Sequence, residues 1–301
     1  VVHELKVFEE TEVDNKLAHS HWLGATQQQD ADDCINILKA EKIDWLIVDH
    51  YALDEQWQKR IKPYYEKLMV IDDLADRQFD CDILLDQTYG RQKEDYLPLT
   101  PKKCKLLLGS QYALIRPEFS KWRNYSLNRR INPKFNRILV NMGGVDTGNI
   151  TGKVVKELQA CALPKDIDIV IVIGKGFPYL EDIQLIVESM PYKSEIKVDV
   201  DNMAEIMADS DIAIGASGST TWERCCLGLP TIQLLIAKNQ ETAFKLLLRD
   251  GIIKPVYTIE NLSKNIYELA FEMKAFSVAS SKVCDGQGPI HVMKYLNSII
   301  K

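Results

Sequence analysis

From Asp44 to Ile236 short apolar runs alternate with segments of helical period, and most runs close on an acidic, small-residue or glycine turn. That alternation is the pattern of an α/β protein with mainly parallel strands. Asp44–Asp49, Lys67–Asp72, Cys81–Asp86 and Cys104–Gly109 read as strands of a first unit, with helices over about Gln29–Ala40 and Asp54–Leu68. A second unit opens at Phe135, with strands near 137, 167, 195, 211 and 230, each followed by a helical segment, and a last helix over Ile290–Ile300. Between them Pro117–Pro133 turns polar and basic with little periodicity, which marks a boundary. The expected architecture is therefore two Rossmann-like domains, residues 1–116 and 135–301, joined by a linker over 117–134. Ligands of such sheets bind beyond the carboxyl ends of the strands, and two sheets facing each other leave a cleft for them.

Two turns in the second unit carry phosphate-binding chemistry. Asp211–Ala216 reads as a buried strand and runs into Ser217-Gly218-Ser219-Thr220-Thr221, then a helix holding Glu223; Gly228-Leu229-Pro230, a further strand and Lys238-Asn239-Gln240 follow. Small residues let backbone approach a ligand closely, and a helix start offers unpaired amides and a favourable dipole for an anion. Glu223 carries a charge that repels phosphate but suits the hydroxyls of a ribose. The same order recurs where the strand Arg137–Met142 ends in Gly143-Gly144-Val145-Asp146-Thr147 before a helix from about Asn149. Each turn alone is equally an ordinary N-cap; together they point to a nucleoside diphosphate. Neither a Walker loop nor the dinucleotide G-x-G-x-x-G motif is present. Gly174-Lys175-Gly176 reads as no more than the end of a strand.

In the first unit the strand over 44–48 delivers Asp49-His50-Tyr51 to its carboxyl end, where a histidine is a candidate proton acceptor and a tyrosine can orient a sugar hydroxyl or a water. Asp72-Asp73 resembles an acidic metal pair, but no third ligand lies nearby in sequence, so no metal and no cofactor are expected. His19 and His21 read as surface or packing residues.

The net charge of −6 over 301 residues argues against a nucleic-acid partner, and the densest basic stretch, Lys121–Arg130, reads as a solvated linker face. No apolar run reaches the ~18 residues of a membrane span. Seven cysteines without a C-x-x-C pair fit reduced thiols rather than a disulfide framework. A soluble, cytoplasmic monomer is expected.

With Asp49-His50-Tyr51, Ile71-Asp-Asp73, Cys81-Asp-Ile-Leu-Leu85, Tyr112-Ala-Leu-Ile-Arg116, Met142-Gly-Gly144 and Lys238-Asn-Gln240 in this order, the chain resembles the UDP-sugar hydrolases of pseudaminic acid biosynthesis. These cleave UDP-2,4-diacetamido-2,4,6-trideoxy-β-L-altropyranose. The second half also looks like the donor-binding domain of the N-acetylglucosaminyltransferase of peptidoglycan synthesis, which implies GT-B architecture. The resemblance implies hydrolysis at the anomeric carbon, with UDP leaving. It implies Tyr51 and Asn239 near the sugar and the water, and Gly143, Gly144, Ser219, Thr220 and Glu223 around UDP. With His50 from the strand-end cluster these make the expected catalytic set of Tyr51, His50 and Asn239, and Asn149, Ser217, Gln240 and Arg116 are further candidates around UDP. The other readings are a glycosyltransferase of the same architecture and a non-catalytic UDP-sugar binder. Relatives open with a strand and a turn ending Gly-His, whose histidine is their proposed base. This sequence has no Gly-x-Gly-His, so the first strand-turn-helix unit is read as missing through truncation, and the chain as written is expected to be poorly soluble or inactive.

Overall fold

A computed structural model describes residues 17–144, 146–237 and 240–299. They form two compact units: one from the residues up to Tyr112 together with those from Val292 onward, the other from Ala113–His291.

The first unit holds a four-stranded parallel sheet in sequence order: β1 (Trp45–Val48), β2 (Lys67–Ile71), β3 (Ile83–Asp86) and β4 (Lys105–Leu108). Val48 pairs with Val70, Val70 with Leu84 and Leu84 with Leu106. Because side chains alternate along a strand, one face presents Leu68, Val70 and Leu84 to Ala31 of α1 (Gln27–Leu38) and to Trp57 and Ile61 of α2 (Glu55–Ile61). The other face presents Met69, Ile83, Leu85 and Leu107 to Val292 and Leu296 of the last helix, α10 (Gly288–Ile299). Helix α1 starts at a capping box in which Thr26 and Gln29 satisfy each other's amides. The helix expected over 54–68 stops at Ile61, two residues before Pro63, and gives way to a 3-10 turn over Lys62–Tyr64. Pro63 has no amide hydrogen to continue the i to i−4 ladder, so the segment does not run on as one rod.

In the second unit six parallel strands, β5 (Arg137–Asn141), β6 (Asp168–Ile173), β7 (Lys193–Val198), β8 (Ile212–Ala216), β9 (Thr231–Leu234) and β10 (Lys254–Val256), stand in the order β10-β9-β8-β5-β6-β7. Buried Ile138, Val140, Ile169, Ile171 and Ile214 form the core with Val154 and Val155 of α4 (Ile150–Ala160) and Ile266 and Leu269 of α9 (Leu262–Ser280). Strand β10 is not legible in the sequence. Its middle residue is Pro255, which cannot donate to a ladder and is tolerated only because β10 is an edge strand.

The segment 117–134, read as a linker, is instead mostly α3 (Pro117–Arg129), inside the second unit. Lys121 is exposed, but the arginines of the segment are not a solvated face. Arg130, 4% exposed, donates to the carbonyls of Leu227, Ser210 and Met207, and Arg123 donates to those of Cys226, Cys284 and Ser281. These carbonyls lie at the carboxyl ends of α6 (Met203–Asp209), α7 (Thr220–Cys226) and α9, where oxygens lack partners within their own helix and cations are favoured. Burial lowers the Arg130 pKa to about 9, which leaves it charged at neutral pH.

Candidate functional site

The strand order of the second unit reverses at β5, which has β6 on one side and β8 on the other, and the chain turns outward after both β5 and β8. A crevice at such a switch point, beyond the carboxyl ends of the strands, is where open α/β sheets take ligands. A pocket of about 300 Å³ lies there, lined by Arg116, Asn141, Gly143, Gly144, Thr220 and Glu223, with Val172, Ile173 and Gly174 from the end of β6 and Asp199, Val200 and Met203 from beyond β7.

Five of the residues expected around UDP thus meet in one place: Arg116, Gly143, Gly144, Thr220 and Glu223. Gly143 has φ +93, a conformation that side chains rarely adopt, and a Cβ on Gly143 or Gly144 would meet nothing within 4 Å. The turn therefore presents bare backbone to open space. It rests on Gly174, where a Cβ would fall 2.1 Å from the Gly144 carbonyl oxygen. Gly174 is more than the end of a strand: its missing side chain seats the glycine turn. Asn141 ties the same floor together by donating from Nδ2 to the Val172 carbonyl at 3.0 Å. Ser219 is an exposed neighbour of Thr220, and the Gln240 amide lies beside Gly218, 3.4 Å from where a Cβ would stand.

Two expected ligand residues are engaged elsewhere. At the start of α4 the amides of Ile150 and Thr151 bond to the Asp146 carboxylate at 2.9 and 2.7 Å, and the Gly152 amide bonds to Asn149 Oδ1 at 3.0 Å. Asn149 is an N-cap, and this helix start has no donors left for a phosphate. Both Asp146 and Asn149 adopt positive φ to reach those amides. Ser217 is a joint between strands: its Oγ donates to the Leu234 carbonyl and accepts from Gln233 Nε2. At α7, by contrast, the amides of Thr221 and Trp222 turn back onto Gly218 and Ser219, and those of Ser219 and Thr220 have no partner among the described residues.

Charge in the pocket is mixed. Burial raises the Glu223 pKa, and Arg116 and Arg224 pull it back down. Arg116 also pairs with Glu118 at 3.0 Å.

In the first unit Asp49, His50 and Tyr51 follow β1 and Asp72 and Asp73 follow β2, adjacent strands in register. Tyr51 is half-buried, with its ring 5.2 Å from that of His19 and 5.7 Å from that of Trp22. Burial raises the pKa of its hydroxyl, as does the hydrogen bond to Asp73. Asp73 itself is raised by burial, against the lowering effect of that bond. His50, read as a proton acceptor, takes the Ala52 amide on Nδ1 at 3.1 Å. A neutral imidazole has one acceptor nitrogen, so the lone pair a base needs is occupied, and burial lowers its pKa further. Asn239 lies outside the described residues.

Asp72 is no metal ligand in waiting. It pairs with buried Arg77 at 2.7 Å, takes the amides of Leu74 and Ala75, and shares the Tyr96 hydroxyl with Asp86 at 2.7 and 2.8 Å. Among the described residues no cluster of three or more His, Cys, Asp or Glu is arranged to hold a metal, and no helix is long and apolar enough to cross a membrane.

No family model matches the chain. It is 30% identical over 220 residues to the UDP-2,4-diacetamido-2,4,6-trideoxy-beta-L-altropyranose hydrolase of Campylobacter jejuni, covering 73% of this chain and 76% of that enzyme. The chain belongs to the family of that hydrolase. An uncharacterized protein of Methanocaldococcus jannaschii is 29% identical over 210 residues, 68% of this chain; the match spans only 43% of that longer protein. The chain is similar in fold to the crystal structure of Acinetobacter baumannii MurG, which superposes with a TM-score of 0.65 at 14% identity over 90% of this chain and 78% of that one. This likeness establishes the GT-B type of α/β architecture expected from the strand-helix alternation.

Proposed function

We propose that the protein hydrolyses a UDP-linked diacetamido-trideoxy sugar, UDP-2,4-diacetamido-2,4,6-trideoxy-β-L-altropyranose, to UDP and the free sugar in pseudaminic acid biosynthesis. The observation that carries the reading is the pocket at the switch point. In a member of this hydrolase family it combines a bare glycine turn, two amides without a partner among the described residues, and the Glu223 carboxylate. In this reading Glu223 takes the ribose hydroxyls, and the amides and hydroxyl of Ser219 and Thr220 take the phosphates. Gly143 and Gly144 let the ligand rest on backbone, and Arg116 and Gln240 flank it.

The oxygen of a water bonds to the anomeric carbon, the bond from that carbon to the β-phosphate oxygen breaks with its electron pair leaving on UDP, and the proton the water loses passes to solvent or to the departing diphosphate. Tyr51 and Asn239 are the groups proposed to orient the water and the sugar. A phenol hydroxyl can both donate and accept, so a half-buried Tyr51 can meet either a water or a sugar hydroxyl.

The test is to incubate the protein with this UDP-sugar and, separately, with UDP-N-acetylglucosamine, following UDP by ion-exchange chromatography and the sugar by NMR. Equal amounts of UDP and reducing sugar from the first substrate are the expected result. UDP released only when an acceptor alcohol is added would make the protein a transferase, and tight UDP binding with no release from either donor would make it a binder.

A further inference from the structure

Arg224 sits directly under the turn that the proposed function gives to phosphate, and among the described residues its guanidinium forms no ion pair. It is 2% exposed, on the inner face of α7, yet no carboxylate oxygen among the described residues lies within 4.0 Å of it. Its bonds all go to neutral oxygens: Nη2 donates to the Ala216 carbonyl at 2.7 Å and to Thr221 Oγ1 at 3.2 Å, and Nη1 donates to Thr220 Oγ1 at 3.1 Å. Its Nε is buried without any acceptor. Leaving a cation so deep without a counter-ion is costly. The sequence nonetheless makes room for it, since a Cβ on Gly215 would lie 2.6 Å from Nη1. Burial lowers the Arg224 pKa to about 10, which keeps the guanidinium charged at neutral pH.

The consequence runs through Thr220, which lines the pocket. A hydroxyl that accepts from a guanidinium keeps its own hydrogen for another partner, and Thr220 Oγ1 donates to nothing among the described residues. We infer that Arg224 is a positioning residue: from beneath the turn it fixes Thr220 as a hydrogen-bond donor toward an anionic group in the pocket, so that its missing counter-ion is the phosphate of a bound nucleotide. This rests on the nucleotide reading of the pocket and adds to it the origin of the preference for a diphosphate over an uncharged nucleoside. Glu223, next to it in sequence, feels the Arg224 charge at longer range. It makes no ion pair with Arg224 among the described residues and lines the cavity, so the guanidinium keeps no counter-ion in direct contact.

The experiment is calorimetric titration of the full chain with UDP, UMP and uridine in four proteins: wild type, Thr220→Val, Arg224→Met and the double variant. Hydrogen bonds to charged groups set the scale. Thr220→Val is expected to weaken UDP binding by roughly tenfold and to leave uridine unchanged, and in the Arg224→Met background the same change should cost less than about twofold, because the hydroxyl is no longer held. Thr220→Ser, which keeps the hydroxyl, should restore UDP binding. Equal losses from Thr220→Val in both backgrounds, or equal losses for UDP and uridine, would overturn the inference. If the Arg224→Met chain does not fold, Arg224→Lys replaces it: a lysine cannot hold Thr220 and Ala216 together, so UDP affinity should fall severalfold while uridine affinity stays, and unchanged UDP affinity refutes the idea. A wild-type protein that binds uridine but not UDP defeats this inference alone, whereas one that binds none of the three defeats the nucleotide reading as well.

Discussion

Replacing Gly174 by alanine inserts one methyl group where, among the described glycines, a Cβ has the least room. The added Cβ would stand 2.1 Å from the Gly144 carbonyl oxygen and 3.0 Å from the Gly144 Cα. Carbon and oxygen approach favourably at roughly 3.3–3.6 Å, so the shortfall is about 1.2 Å. The obstacle is backbone rather than the end of a flexible side chain, so either the 143–144 turn or the end of β6 has to move by about that amount. Overpacking of this kind costs about 1–3 kcal/mol. For a unit of this size the melting temperature should then fall by roughly 2–4 °C for each kcal/mol. The effect on binding is expected to be larger. The displaced turn is the floor of the proposed nucleotide site, and a shift near 1 Å in a positioning element can cost about a hundredfold. Calorimetry with UDP alongside differential scanning calorimetry separates the two. Unchanged UDP affinity in a folded Gly174→Ala protein would show that the turn does not touch the ligand, and an unchanged melting temperature would show that the two backbones are further apart than described.

Four other outcomes are expected. Glu223→Gln should weaken UDP binding and yet raise the melting temperature of the free protein at neutral pH. Burial raises the Glu223 pKa, so its stabilising contribution is complete below the ordinary carboxylate value and is lost as pH rises through the folded one; scanning fluorimetry at pH 4 and pH 7.5 should show the difference between the two proteins only at the higher pH. Arg77→Met strands the buried Asp72 carboxylate and should destabilise the first unit by about 3–5 kcal/mol, read from urea unfolding. Tyr51→Phe should lower kcat by about a hundredfold with UDP affinity unchanged, whereas His50→Ala, whose acceptor nitrogen is already taken, should lower it only severalfold; a collapse of turnover in the His50 variant would restore that residue as the base. Asp146→Ala should cost about 1–2 kcal/mol of stability through lost capping of α4, with little change in UDP affinity.

What the sequence disclosed and what it concealed follow from the range of the forces involved. The inner strands β2, β3, β5, β6, β8 and β9 were legible because a strand buried on both faces must be apolar, whereas β10 was not, because an edge position forgives a proline. The gathering of Arg116, Gly143, Gly144, Thr220 and Glu223 was legible through turn chemistry, which is local. The roles of Asn149 and Ser217 were not: a small polar residue at a strand end can face a ligand or cap its own backbone, and the choice depends on Asp146, Gln233 and Leu234 closing around it. The basic segment 121–130 misled for the same reason. Arginines that serve the carbonyls of three distant helix ends have the composition of a solvated surface, and only the tertiary arrangement shows them buried. Gly174 and Arg224 carried no signal at all, since their importance lies in what packs against them.

The apolar face of the first sheet that presents Met69, Ile83, Leu85 and Leu107 is covered by residues translated much later, Val292 and Leu296. Translation proceeds at about 5–20 residues per second. For the roughly 10–40 s needed to make the intervening chain, that face stays bare while Ala113–His291, contiguous in sequence, can complete its own core. During synthesis the earlier half of the polypeptide is therefore the vulnerable one, and a chaperone that shields greasy β-surfaces should be found on nascent chains stalled anywhere between these two points.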